Sequence, residues 1–236
     1  MAFSLDAFKN TLDSLEKYYT TLAITPSTSM DRTLPYPTSY QDETGQQIGF
    51  TYRSRIREMF VFRASVDGSD EATLCVKFTR KYSEEAHRFL ADLGHAPPLR
   101  AVTPLSGGWI MVVMDSSNYV SLHSMRWPEN QSYEQRCALK EGIESRIKDV
   151  LQKLHDASLV HGDVRDINIL IDEESLIGDE KEYGVHLIDF DWAGREEVVR
   201  YPGRVNTVTV RRPRGVSDWE LITREYDMGM VDFLWF

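Results

Sequence analysis

The chain has 236 residues, of which 42% are hydrophobic and 27% charged, with a formal net charge of −10. That length and balance suit one domain, or one two-lobed domain, with a real core, and they are unlike a disordered chain. The acidic excess argues against a general nucleic-acid or anionic-membrane surface, because nothing on average offsets phosphate repulsion.

The first segment reads as a helix: Leu5, Phe8, Leu12, Leu15, Tyr19 and Leu22 recur at spacings of three and four. Such a stripe serves either as a docking face or as an oligomer seam. From Ile24 to Gln47 the composition turns to Ser, Thr and Pro, so residues 1–47 are expected to be a helix plus a polar linker or arm. Short β-branched and aromatic runs follow at Ile48–Tyr52, Met59–Val66 and Ala72–Phe78, with Asp67-Gly68 as a turn between the last two. These predict an antiparallel meander. A helix is expected over Ser83–Leu93, then a loop carrying Pro97 and Pro98, then a buried strand over Trp109–Met114.

The second half opens on Ser132 and Gln135, a capping-box pair. Leu139, Ile143, Ile147, Val150, Leu151 and Leu154 then share one helical face. Beyond this long helix come a loop, a strand at Ile169–Ile171, an acidic turn and a strand at Val185–Ile188. The apolar ending, Val231 to Phe236, is expected to pack on the body of the domain.

The two cysteines, Cys75 and Cys137, form no close pair and no Cys/His cluster, which fits a reducing compartment without a disulfide framework or structural zinc. The first ten residues include Asp6 and Lys9 and hold no signal-peptide core. The longest wholly apolar stretch, Trp109 to Met114, is too short to cross a membrane. The expected location is the cytosol or the nucleus.

The chemistry concentrates in one loop and hairpin. The loop reads His161-Gly162-Asp163-Val164-Arg165-Asp166-Ile167-Asn168, and the second strand ends in Leu187-Ile188-Asp189-Phe190-Asp191. These strings resemble the catalytic loop and metal-binding motif of the protein-kinase-like superfamily. They look most like the compact branch that holds aminoglycoside and choline kinases and fungal kinase-like proteins. The resemblance spans residues 48–236 and is most specific over 151–191. It implies an α+β, two-lobed fold: a small antiparallel β-rich N-lobe with hinge over 48–117, and a short, mainly helical C-lobe over 118–236.

The resemblance also implies roles. Asp163 stands at the catalytic Asp, which orients the acceptor hydroxyl and takes its proton, and Arg165 is placed to neutralise the transferred phosphoryl group. Asn168 and Asp189 are implied metal ligands, and their hard oxygens suit Mg²⁺ bridging phosphates. Asp191, where protein kinases usually have glycine, takes a second-metal or supporting role. Lys77, in Cys75-Val76-Lys77-Phe78, resembles the lysine that contacts the α- and β-phosphates, with Glu85 as its expected partner on the following helix. Glu84 is the alternative, and both also suit a helix N-terminus. Met114 would line the adenine pocket, and backbone near Asp115 to Ser117 would bond the base. Asp227 matches the structural Asp that ties down the catalytic loop.

No glycine-rich phosphate loop is present; its place, Ser54 to Glu58, offers Arg55 and Arg57, which either reach phosphates or form a solvated turn. Gly162 replaces the arginine that senses activation-loop phosphorylation, and no Ala-Pro-Glu string occurs. The segment 195–214, beyond the metal motif, carries six arginines: Arg195, Arg200, Arg204, Arg211, Arg212 and Arg214. They form either a surface for an anionic substrate or partner, or a solvated loop paired with acidic neighbours. The expected cofactors are ATP and Mg²⁺, with an unidentified hydroxyl acceptor. The alternative is a pseudokinase acting as a nucleotide-binding or scaffold module.

Overall fold

The computed structural model describes residues 11–16, 36–56, 60–129, 131–176 and 183–235. The chain divides into two compact units, Met1–Tyr36 and Pro37–Phe236. In the first, residues 11–16 are helical and include Leu12 and Leu15 of the expected stripe; Leu5, Phe8, Tyr19 and Leu22 lie outside the described residues, as does Arg57.

The second unit begins with a six-stranded sheet. Its strands are β1 (Ser39–Gln41), β2 (Gln47–Arg55), β3 (Val61–Val66), β4 (Leu74–Thr79), β5 (Leu99–Pro104) and β6 (Ile110–Asp115), in the order β1-β2-β3-β4-β6-β5. Every neighbouring pair is antiparallel. The expected meander is present, and Gly68 takes the left-handed φ of 87° that its turn needs. Two strands depart from the sequence reading. β1 lies inside the supposed linker and pairs Tyr40 with Ile48. Tyr40 is buried, so a single aromatic anchors an otherwise polar segment to the sheet. β5 falls where prolines suggested a loop; it is the edge strand, where a missing N–H is tolerated, and Pro104 closes it.

Register decides which side chains share a face. Lys77 lies opposite Val112 and Cys75 opposite Met114, so Lys77 and Met114 project from the same side of the sheet. The helix α1 (Glu84–Asp92) follows, capped by Ser83, whose hydroxyl accepts from the Ala86 N–H at 3.3 Å. Its buried residues are Ala86, His87 and Leu90.

The remainder is built on α2 (Tyr133–Asp156). Both capping-box bonds form: the Gln135 N–H donates to Ser132 Oγ at 3.2 Å, and the Ser132 N–H donates to Gln135 Oε1 at 2.8 Å. All six positions of the predicted stripe are buried, each contributing about 1.5–3 kcal/mol of apolar burial. They share a core with Ile169, Ile171, Leu187, Phe190 and Met230. Small pairings complete the half: β7 (Val120–Ser121) and β10 (Val185–Leu187) flank β9 (Ile169–Ile171), and β8 (Leu159–Val160) pairs with β11 (Gly194–Arg195). The last helix is α3 (Arg224–Val231). The apolar ending packs as expected: Val231 and Leu234 are buried, and Trp235 Nε1 donates to Glu144 at 2.5 Å. No helix among the described residues is long and apolar enough to cross a membrane.

Candidate active site

The loop between β8 and β9 carries Asp163 and Asn168, and one buried carboxylate holds it. Asp227, 1% exposed in the first turn of α3, accepts from the His161 N–H at 2.7 Å and the Gly162 N–H at 2.8 Å. His155, at the end of α2, lies 3.2 Å from the same carboxylate. Three segments distant in sequence therefore meet on Asp227, the role its position implied. Gly162 has a φ of 81°, and a Cβ there would come within 2.8 Å of Ile222 and 3.1 Å of Trp192. Backbone conformation and limited space both favour glycine at this position.

Within the loop, Asn168 Nδ2 donates to the Asp163 carbonyl at 2.9 Å and to Asp163 Oδ2 at 3.0 Å. This leaves Asn168 Oδ1 as an acceptor. Arg165 Nη2 reaches the same Oδ2 at 2.6 Å. The other oxygen, Oδ1, accepts from Arg212 Nη2 at 2.9 Å. The Arg212 side chain is 3% exposed and lies 5.0 Å over the Trp192 ring, with Nε donating to the Asn206 carbonyl. Arg165 Nε, Arg212 Nη1 and the Tyr201 hydroxyl are buried without hydrogen-bond partners among the described residues. Sequence reasoning placed Arg212 in a basic segment and had no means of seating it on Asp163.

The hairpin brings the second motif alongside. The Ile188 N–H donates to the Asn168 carbonyl at 3.0 Å, so Asp189 follows directly beside the loop. Asp189 takes a φ of 70°, a left-handed conformation that is costly for a non-glycine residue and typical of functional sites. Lys77 Nζ lies 2.5 Å from Asp189 Oδ1 and 2.7 Å from Asp191 Oδ1, and the Thr79 hydroxyl donates to Asp191 Oδ2 at 2.8 Å. Burial works against the Lys77 ammonium, but the two carboxylates outweigh it and hold its pKa above the ordinary lysine value. The acids diverge. Burial would raise Asp189, yet Lys77 overcomes it and leaves this carboxyl below its usual range. Asp191 ends above its usual range, raised by burial and by repulsion from Asp189 despite Lys77.

Glu85 is not brought to Lys77. Its carboxylate accepts from Arg195 Nη2 at 2.6 Å, and its side chain is 52% exposed. The physical reason is the helix phase: the Ser83 cap turns Ala86, His87 and Leu90 inward and leaves Glu84 and Glu85 facing out. Glu84 pairs with Arg88 within the helix. The inward position belongs to His87, stacked on Phe190 with ring centroids 4.7 Å apart. Its Nε2 lies 2.7 Å from the Pro97 carbonyl and its Nδ1 2.6 Å from the Tyr82 hydroxyl. Burial pushes its pKa down to about 4, so the ring is neutral, with Nε2 as donor and Nδ1 as acceptor.

At the expected hinge, Met114 is buried, while Asp115 turns its carboxylate to Arg100 in a two-pronged pair of 2.6 and 2.7 Å. The Asp115 and Ser116 N–H groups donate to the Pro98 and Thr73 carbonyls. Neither of these N–H groups is therefore free to donate to a ligand. Arg55 lies over the Phe60 and Phe62 rings at 5.5 and 5.9 Å.

Two cavities border these groups. One, of about 310 Å³, is lined by Lys77, Thr79, Arg80, Asp191 and the aromatic residues Phe60, Phe78 and Trp109, with Val61. The other, of about 430 Å³, lies beside Arg165. Among the described residues no three His, Cys, Asp or Glu side chains converge as a metal cage. Mg²⁺ does not require one: it commonly binds through one or two carboxylates plus phosphate oxygens and water. Asp189 with the free-standing Oδ1 of Asn168 fits that pattern.

No protein-family model matches the chain, and no curated protein does either. Solved structures do. The kinase PK-1 of the Cydia pomonella granulovirus superposes with a TM-score of 0.52 at 14% identity, over 77% of this chain and 65% of that one. Vaccinia related kinase 3 gives a TM-score of 0.54 at 18% identity, over 88% of this chain and 70% of that one. The chain thus spans about two thirds of the length of these kinases. With its antiparallel sheet followed by a mainly helical half, it has a two-lobed, protein-kinase-like fold.

Proposed function

We propose that the chain is an ATP-dependent phosphotransferase that moves the γ-phosphoryl group of Mg·ATP to a hydroxyl acceptor. The observation that carries this reading is the continuous set of contacts from Asp163 through Asn168 to Asp189 and Lys77. Phosphoryl transfer asks for positioning and charge neutralisation in that arrangement. Residues 48–117 form the nucleotide lobe and hinge, with Met114 and Ser117 near the base, and residues 118–236 form the catalytic lobe.

Mg·ATP supplies the transferable phosphoryl group and the cation that neutralises its leaving group. Asp163 orients the acceptor hydroxyl and takes its proton. Asn168 holds Asp163 in place through Nδ2 and offers Oδ1 to the cation, together with Asp189. Asp191 fixes Lys77 and Thr79 in the resting state. Arg165 sits where negative charge passes between donor and acceptor. The compact-branch assignment rests on Asp191 and Gly162, and a cytosolic or nuclear setting on the cysteine usage.

A second reading has its own observation. Lys77 is held by both acids and Asp163 is covered by Arg212, so catalytic groups are occupied by one another. A pseudokinase scaffold accounts for that without turnover.

The test is the thermal unfolding midpoint with and without Mg·ATP, for the wild type and Asp189→Ala. Ligand at 100 times its Kd adds roughly 2.7 kcal/mol, which raises the midpoint by several degrees at roughly 2–4 °C per kcal/mol. A magnesium-dependent rise that Asp189→Ala loses supports the nucleotide site. Turnover that Asp163→Asn lowers roughly 10²–10⁴-fold, with nucleotide affinity kept, separates enzyme from scaffold. No shift at millimolar ATP defeats the phosphotransferase reading and favours the pseudokinase scaffold.

A further inference from the structure

An acceptor hydroxyl has to touch the Asp163 carboxylate, yet that side chain is 8% exposed. Oδ2 accepts from Arg165 Nη2 at 2.6 Å and from Asn168 Nδ2 at 3.0 Å. Both donors stand within five residues of Asp163 in its own loop, so they stay with it whatever the rest of the chain does. With Oδ2 shared by two donors, Oδ1 is the oxygen left for an acceptor. Arg212 covers it at 2.9 Å, and Arg212 comes from 49 residues away.

The segment that delivers Arg212 is irregular and lies on the surface. Between residues 206 and 215 every residue is exposed except Val210, Arg212 and Pro213. The Arg212 side chain, by contrast, is 3% exposed, lying over Trp192 with Nε on the Asn206 carbonyl. The segment carries short-range bonds of its own: Asn206 Oδ1 accepts the Val208 and Thr209 N–H groups. Its two ends are fixed, since Val205 and Val216 are buried and the Val205 N–H donates to Asp218 Oδ1 at 2.8 Å. Arg204 and Gly215 beside those ends take left-handed φ values of 64° and 96°. A stretch tied at both ends and clipped down in between by one ion pair has two natural arrangements, clipped and lifted.

We propose that residues 205–216 form an autoinhibitory strap, clipped shut by Arg212 on Asp163, which has to lift before an acceptor hydroxyl reaches the carboxylate. Arg212 is then a gate, and neither a structural tie nor a sign of a decayed site. The consequence for turnover rests on the phosphotransferase reading; the closure itself is testable without nucleotide.

Closure is read first on the full chain without ATP, as the rate at which a water-soluble carbodiimide couples glycinamide to Asp163, followed by peptide mass spectrometry. Arg212→Ala should raise that rate about tenfold, because losing a charge-assisted hydrogen bond shifts a closed-to-open ratio by about that factor. Asp218→Ala releases the Val205 N–H at the base of the strap without touching Asp163, and should raise it by less. Arg214→Ala removes an exposed neighbouring charge and should leave it unchanged. The second readout is ATP hydrolysis, with water in place of the acceptor. The water oxygen bonds the γ-phosphorus as the bond to the β-phosphate oxygen breaks, its proton passes to Asp163, and ADP leaves. Hydrolysis should rise in the same order as coupling, whereas an Arg212 that merely holds the fold together predicts a fall. Where Arg212→Ala does not fold, Asp218→Ala decides by both readouts. Coupling that neither variant accelerates overturns the strap, as does an equal gain from Arg214→Ala. Faster coupling without faster hydrolysis, in protein that binds Mg·ATP, overturns the gate. If Mg·ATP does not shift the thermal midpoint, the phosphotransferase reading falls and the coupling rates alone decide the strap.

Discussion

The molecule carries two buried charge centres side by side, and they are unbalanced in opposite directions. Around Asp163, one carboxylate faces two guanidiniums, those of Arg165 and Arg212. Around Lys77, one ammonium faces two carboxylates, those of Asp189 and Asp191. The first is short of an anion and the second short of a cation. Burying unbalanced charge is costly, and such groups persist where a ligand completes them. Magnesium at the second centre and phosphate-bearing groups at the first would correct both imbalances at once. The arrangement is therefore more informative about what binds than either motif taken alone.

Both centres hang on one loop, so the largest effect should come from the residue that anchors it. Asp227→Ala strands the His161 and Gly162 N–H groups in the core and should cost about 3–5 kcal/mol. The thermal midpoint should fall by roughly 10 °C. Asp227→Asn retains an acceptor oxygen and should lose distinctly less. Equal losses would mean that charge, and not the two hydrogen bonds, holds the loop.

The next prediction sets the centres against each other. Lys77→Met leaves Asp189 and Asp191 as an unrelieved acid pair and should cost about 3 kcal/mol. Millimolar Mg²⁺ should restore much of the lost stability. Asp163→Asn leaves Arg165 and Arg212 without their counter-charge; inorganic phosphate, not Mg²⁺, should restore that variant. Denaturant titrations with each salt at fixed ionic strength read the result. If one ion rescues both variants, or neither ion rescues either, the opposed-imbalance account fails.

The two centres were not equally legible in sequence. That Asp163, Asn168 and Asp189 come together could be read because their juxtaposition depends on short, local spacings in a loop and hairpin that the chain itself specifies. The stripe of α2 and the capping pair Ser132/Gln135 were legible for the same reason. Arg212 contacts Asp163 across 49 residues of irregular chain, and among six arginines in that segment no pattern distinguishes it. Glu85 illustrates a different limit. Phe89 and Leu93 follow Glu85 at helical spacing, but Leu93 is 46% exposed and the buried stripe runs through Ala86 and Leu90. Reading the phase from the Ser83 cap and the small residue Ala86 would have turned His87 inward. β1 and β5 were lost because strands held by one aromatic, or flanked by prolines, carry little periodic signal.

His87 offers a smaller effect that probes the packing against Phe190, the residue between the two aspartates of the acid-rich centre. It touches the Tyr82 hydroxyl and the Pro97 carbonyl, and Lys77 and Arg88 add like charge. Its pKa near 4 lies below the ordinary 6.5, so the unfolded chain binds the proton more readily between those values. Stability is fully present above about pH 6.5 and declines as pH falls towards 4. At pH 5 the loss from this residue should reach about 2 kcal/mol. His186, also lowered to about 4, acts in the same sense. Comparing the wild type with His87→Gln isolates the His87 share: the variant's stability should fall less steeply from pH 7 to 5.

The smallest effect concerns the residue that the kinase resemblance made prominent. Glu85 and Arg195 form an exposed ion pair, with side chains 52% and 65% accessible, and such pairs contribute about 0.2–1 kcal/mol. Glu85→Ala should therefore barely move the midpoint. Lys77 already has two carboxylates at 2.5 and 2.7 Å, so Glu85 is not needed to orient it in the resting state. If Asp189 and Asp191 were to hold a magnesium ion, Lys77 would lose the partners that keep it charged in a buried site. The ATP affinity of Glu85→Ala decides between two outcomes. An unchanged Kd leaves Lys77 shared between the acids and the phosphates. A tenfold loss, about 1.4 kcal/mol, means that α1 carries Glu85 to Lys77 in the bound state, where the acid-rich centre trades one carboxylate for another.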